Sequence, residues 1–196
     1  MRIIAGDNKG AILETIPSRK TRPTLGRVKE ALFNILGNQV IDAEVLDLFA
    51  GSGSLGIEAL SRGAKNVVFI DNNPKCVRVI RKNLNKFKLD VKGSAYVRDA
   101  CKTINFLASE NKKFDIVLMD PPYNNTEELE KTMNNTHLKD ILNSEAVLVI
   151  EHSKRNTLPC PNIKELSHVK SRRYGDTVLA IYEFKQTHFS HFQTIS

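Results

Sequence analysis

One run, Val45 to Gly56 (V-L-D-L-F-A-G-S-G-S-L-G), constrains this chain more than any other. Val45, Leu46, Leu48 and Phe49 have the apolar character of a buried strand. The strand ends in a glycine-rich turn that opens a helix. Gly51 and Gly53 suit a tight turn where backbone passes close to a ligand. Ser54 is placed to cap the helix that follows. Gly51, Gly53 and Gly56 match the spacing G-x-G-x-x-G. Such glycines also serve strand–helix junctions that bind nothing, so the motif needs support from elsewhere in the chain.

Two further stretches supply it. V-V-F-I-D, Val67 to Asp71, stands one βα unit later. A carboxylate at the end of a second strand is placed to accept hydrogen bonds from ribose hydroxyls. Asp120-Pro121-Pro122-Tyr123 directly follows the apolar run Ile116 to Met119. A nicotinamide enzyme has no use for that tetrapeptide in that place, whereas a methyltransferase acting on an exocyclic amine does.

Strands and helices alternate from Val45 onward. Strands are expected at 45–49, 66–70, 94–98, 114–119 and 146–150, with a closing antiparallel pair at 163–170 and 177–184 around a loop at 171–176. Helices are expected at 55–62, from Asn73-Pro74 onward, at 103–110 and at 126–142. Val77, Ile80, Leu84 and Phe87 mark the buried face of the second helix. Its cations, Lys75, Arg78, Arg81, Lys82, Lys86 and Lys88, read as a solvated face. Ahead of the core lie a short hairpin to Ile16, a basic loop from Pro17 to Thr24, and a helix from Thr24 to Gly37. Val28, Leu32, Ile35 and Leu36 form the buried face of that helix, with Arg27 and Lys29 placed off it. The reading is a hairpin–helix extension at 1–43, a core at 44–185 and a tail at 186–196.

This alternation specifies an α/β fold: an open, mostly parallel sheet of seven strands with helices on both faces. Right-handed crossovers put the strands' C-terminal ends on one edge. Gly51, Asp71, Asp99 and Asp120 all follow strand ends, so they converge on one crevice.

Composition adds limits. The 196 residues include 41% hydrophobic ones, enough for one substantial core. A net charge of +7 suits a polyanionic partner. No apolar run approaches the ~20 residues of a membrane span, and no signal-peptide region is evident. Cys76, Cys101 and Cys160 are odd in number and lack C-x-x-C spacing, which points to the reducing cytoplasm and away from disulfides or zinc. The five His are scattered, so no metal is expected. A monomer is expected. Arg19, Lys20, Arg22 and Arg27, with Arg172 and Arg173, are the candidate phosphate contacts.

The crevice suits S-adenosylmethionine, which carries an adenine, a ribose and a zwitterionic amino-acid tail. Backbone N–H groups of the turn Gly51-Ser52-Gly53 meet the tail's carboxylate at a helix N-terminus. Asp47 meets the ammonium and Asp71 the ribose. Asp99 accepts from the adenine amine or caps the next helix, with Ala100 beside the ring. Phe49, Asn72 and Asp120 complete the cofactor set. An aryl amine is a poor nucleophile because its lone pair is delocalised. The Asp120 carboxylate and the Pro121 carbonyl can accept its N–H groups and favour a tetrahedral nitrogen. The prolines fix φ and preorganise those acceptors. Tyr123, next to Pro122, offers a ring on which a base can stack.

With these motifs in place, the core resembles the class I, Rossmann-like S-adenosylmethionine-dependent methyltransferases. More narrowly, it is similar to the bacterial 16S ribosomal RNA guanine-N2 methyltransferases of the RsmD type. Four matches carry the resemblance: R-I-I-A-G with a following K-G; R-P-T-x-x-R-V-K-E-A-L-F-N-I-L from Arg22; D-L-F-A-G-S-G-S-L-G-I-E-A-L-S-R-G-A from Asp47; and D-P-P-Y. The resemblance implies methylation of one guanine N2 in small-subunit rRNA, in assembled particles. Leu25-Gly26 and the tail after Lys185 depart from the family pattern. The rival reading is an adenine-N6 methyltransferase on RNA or DNA, which shares D-P-P-Y; residues 1–43 are short for a DNA-recognition domain. A nicotinamide oxidoreductase leaves Asp120 to Tyr123 unexplained. A non-catalytic assembly factor would not need Asp47, Gly51, Asp71 and Asp120 together.

Overall fold

A computed structural model describes residues 1–16, 24–122, 126–158 and 161–186. Its strands are β1 (Glu44–Leu48), β2 (Asn66–Asp71), β3 (Gly93–Val97), β4 (Phe114–Met119), β5 (Leu142–Ser153), β6 (Leu166–Tyr174) and β7 (Thr177–Phe184). They form one sheet in the order β3-β2-β1-β4-β5-β7-β6. Strands β1 to β5 run parallel to one another, and β7 is antiparallel to both β5 and β6. The expected sheet is therefore present. The chain order reverses at β1, which lies between β2 and β4, so the crevice beyond their C-terminal ends is the topological switch point.

Alternation along the strands divides the core in two. Val45, Val67, Phe69, Ile116, Leu118, Val147 and Val149 face helices α1 (Thr24–Leu36), α2 (Ser54–Ser61) and α3 (Pro74–Lys86). Leu46, Leu48, Ile70, Val117, Met119, Leu148 and Ile150 face α4 (Ala100–Ser109) and α5 (Thr126–Met133). The central strands β1, β4 and β5 are buried on both sides, which is why their sequences read as apolar runs.

The N-terminal hairpin is held by a single antiparallel bridge between Arg2 and Ile12, and Ile3 and Leu13 are buried beneath it. Glu58 of α2 fastens it to the core. Its carboxylate accepts the N–H groups of Ile4 (2.8 Å) and Ala5 (3.0 Å) and pairs with Lys29 Nζ at 3.0 Å. Lys29 Nζ also donates to the Arg2 carbonyl at 2.9 Å and to Ser54 Oγ at 3.2 Å.

Several boundaries differ from expectation. Helix α5 ends at Met133 rather than at 142, and β5 starts at Leu142 rather than at 146. Asn135 explains the break: its amide donates to the Cys101 carbonyl (3.0 Å) and to Asn105 Oδ1 (2.8 Å), while its oxygen accepts the His137 N–H (2.9 Å). Those bonds compete with helical ones. Strand β6 runs on to Tyr174, so the expected loop at 171–176 shrinks to Gly175-Asp176, with Gly175 at φ 65°. As an edge strand exposed on most positions, β6 shows no clean alternation. Ser54 is not the cap of α2: Gly53 takes that place, in the left-handed region and with no side-chain cap.

Candidate active site

Chain reversal at the end of β1 builds the first wall. Phe49, Gly51 and Gly53 all adopt left-handed backbone, at φ 63°, 56° and 77°. Left-handed backbone is costly for Phe49, which has a Cβ, and such conformations concentrate at ligand sites. The Ala50 N–H donates to the Ile70 carbonyl at 2.9 Å, and the Gly53 N–H to the Ala50 carbonyl at 2.7 Å. Gly56 has a packing role: a Cβ there would lie 2.2 Å from the Phe69 ring. Its absence lets α2 pack directly on β2, as the third glycine of this motif does elsewhere.

Two carboxylates hold the turn. Asp71, at the end of β2, accepts the Gly51 N–H through Oδ2 and the Asn73 N–H through Oδ1, each at 2.8 Å. Asp47 lies beneath the turn, 1% exposed, and its Oδ2 accepts the Gly56 N–H at 2.9 Å. Burial pushes the Asp47 carboxyl up to about 7, the Gly56 N–H opposing and the Asp71 charge adding to the rise. Neighbouring Cys76 is a free thiol that burial, aided by Asp71, raises to about 12, so it is inert as a nucleophile.

The second wall comes from β3 and β4. Asp99 caps α4, accepting the Lys102 N–H at 2.8 Å, and Ala100 behind it is buried. Asp120 is partly exposed at the end of β4, with Pro121 buried and Pro122 exposed. Burial, the Glu151 charge and then the Asp47 charge hold the Asp120 carboxyl well above the ordinary carboxylate range. Ser52 is partly exposed on the turn, where its carbonyl accepts from Asn83 Nδ2 at 3.4 Å, and Asn72 is exposed.

The predicted cofactor residues thus gather at one sheet edge. Tyr123, Arg19, Lys20 and Arg22 lie outside the described residues. Arg27 is exposed on α1, and Arg172 and Arg173 are exposed on β6, a strand rather than a loop. Lys29, expected off the buried face of α1, is 2% exposed and paired with Glu58. It cannot meet a phosphate. Two site residues escaped the sequence reading. Glu151 lies in β5 directly after the apolar run that ends at Ile150, and that position was its signal. Asn83 is fully buried, joins Ser52 to Glu14 of the hairpin, and has no such signal.

Asp47, Asp71, Asp120 and Glu151 put acid at one edge of a chain whose net charge is +7. That donor set fits a ligand bearing a sulfonium and an ammonium. Open space beside Gly51, where a Cβ would meet nothing within 4 Å, leaves room for a ligand at the turn.

Comparison with known proteins agrees. The profile of a family described as Conserved hypothetical protein 95 matches residues 1–183. The chain is similar to ribosomal RNA small subunit methyltransferase D of Escherichia coli (strain K12), at 38% identity over 81% of this chain and 78% of that one. It is 34% identical to YlbH of Bacillus subtilis (strain 168), a protein named for a proposed rRNA methyltransferase activity, over 93% of this chain and 98% of that one. Among solved structures, that of yhhF from Escherichia coli, titled as a proposed methyltransferase, superposes with a TM-score of 0.81 at 33% identity, over 94% of this chain and 98% of that one. The chain belongs to this family, the RsmD-type class I methyltransferases, and is an S-adenosylmethionine-dependent enzyme.

Proposed function

We propose that this enzyme methylates the exocyclic N2 of one guanine in 16S rRNA, within the assembled small ribosomal subunit. Asp120-Pro121-Pro122 at the end of β4, beside the glycine turn at the switch point, is the observation that carries the reading. The name of the Escherichia coli relative supports an rRNA substrate.

In this reading the turn N–H groups near Gly51 to Gly53 hold the tail carboxylate of the methyl donor, and Asp47 and Asp71 hold its ammonium and ribose. Asp99 and Ala100 line the adenine, with Phe49, Ser52 and Asn72 around them. When bound, S-adenosylmethionine supplies an electrophilic methyl group. Asp120 and the Pro121 carbonyl accept the two N–H groups of the amine and turn its lone pair toward that methyl. Much of the acceleration is positioning and electrostatics. Tyr123 and Pro122 take the flipped base, and Arg27, Arg172 and Arg173, with Arg19, Lys20 and Arg22, meet RNA phosphates. Among the described residues no helix is long and apolar enough to cross a membrane. The enzyme acts in the cytoplasm, where its substrate is assembled. It acts as a monomer.

Asp120→Ala tests the reading. Methyl transfer should be lost while S-adenosylmethionine still binds. Retained transfer would remove Asp120 from the chemistry.

A further inference from the structure

Strands β4 and β5 run parallel with Met119 opposite Ile150. The next residues are Asp120, directly after β4, and Glu151 in β5, and the Glu151 charge acts on Asp120. The two differ in exposure: Glu151 is 4% exposed and Asp120 is partly open to the crevice. Asp47 adds a third carboxylate. It is opposite Leu118 in the register and 1% exposed. The charges acting on Asp120 are those of Glu151 from β5 and Asp47 from β1. Asp71 from β2 acts on Asp47. His152, next along β5, is buried, lies 2.9 Å through Nδ1 from the Ser153 carbonyl, and is held toward its neutral form by desolvation.

Methylation of an amine leaves a proton to dispose of. The C–N bond forms as the C–S bond breaks, with the electron pair left on sulfur. The nitrogen then carries a positive charge and one proton too many. We propose that Glu151 is a positioning residue for this step: its buried negative charge, held beside Asp120, draws the departing proton onto the Asp120 carboxylate. The N–H bond breaks, its electron pair returns to nitrogen, and Asp120 becomes a carboxylic acid that later gives the proton to water. The inference rests on the amine-methylating reading above and adds the destination of the proton.

Glu151→Gln keeps the shape and removes the charge. In the free protein, carbon-13 NMR of labelled aspartate carboxyls should show Asp120 titrating at lower pH than in the wild type. In methyl transfer to small-subunit particles, the acid limb of the kcat profile should move down by about one unit, and kcat at pH 8 should fall about tenfold as the base weakens. S-adenosylmethionine affinity should hold. Glu151→Asp, which keeps a carboxylate, should restore much of kcat and serves as the test variant should the Gln protein not fold. An Asp120 titration and an acid limb both unmoved in the Gln variant, or in the Asp variant a kcat no better than that of Asp120→Ala, would overturn the proposal. Should the wild type transfer no methyl to these particles, the amine reading fails, while the NMR titration still decides the carboxylate pair.

Discussion

Asp71 Oδ2 accepts the backbone N–H of Gly51 at 2.8 Å, so the acid at the end of β2 holds the glycine turn at the end of β1. One side chain thereby shapes the turn and closes the crevice. Asp71→Ala should lower S-adenosylmethionine affinity by at least about tenfold, the loss of roughly 1.4 kcal/mol or more. Calorimetric titration measures it. Unchanged affinity would remove Asp71 from the cofactor site.

The Lys29–Glu58 pair is buried on both sides and ties the N-terminal hairpin, α1 and α2 together. Glu58→Gln leaves a buried ammonium without its partner charge and should cost roughly 3–5 kcal/mol of stability. Denaturant unfolding of the free protein reads this directly. A change within experimental error would show that the pair is not needed for the fold.

Asp47 gives stability a pH dependence. Its carboxyl is raised from 3.8 to about 7 in the folded protein, so folding favours its protonated form. That contribution is fully present below pH 3.8 and is lost as pH rises through 7. Asp47→Asn keeps an acceptor for the Gly56 N–H without the charge. Its Tm relative to wild type should rise steadily from pH 4 to pH 8. A gap that does not widen would contradict the buried-carboxyl account.

Gly56 is where α2 meets β2. Gly56→Ala drives a methyl into the Phe69 ring and should destabilise the protein by roughly 1–3 kcal/mol, as overpacking does. Thermal melts check it. An unshifted Tm would mean that α2 can move outward freely.

Arg172 and Arg173 stand on the edge strand β6. Reversing both to Glu should weaken binding to small-subunit particles most at low salt, and should lower the slope of log affinity against log salt by about one to two. Equal affinity at every salt concentration would take β6 out of the RNA interface.

The parallel half of the sheet was legible in the sequence because strands buried on both faces are written as apolar runs. Asp71 and Asp120 were legible because each directly follows such a run. Strand β6 was misplaced because, exposed at the sheet edge, it has little alternation to read. The end of α5 was hidden because Asn135 acts through contacts with α4 that lie far off in sequence. Lys29 misled for a different reason. It shares helical spacing with Phe33 and Leu36, both buried, but a lysine there reads as solvated unless its partner Glu58 is known. The pairing of Asp120 with Glu151 needed the register of β4 and β5, which no local pattern encodes.

The most direct test of the account uses small-subunit particles from a strain lacking this activity, labelled S-adenosylmethionine and the wild-type protein, followed by nucleoside analysis. The account predicts label in N2-methylguanosine from 16S rRNA. Label in N6-methyladenosine instead, or none with S-adenosylmethionine bound, would contradict it.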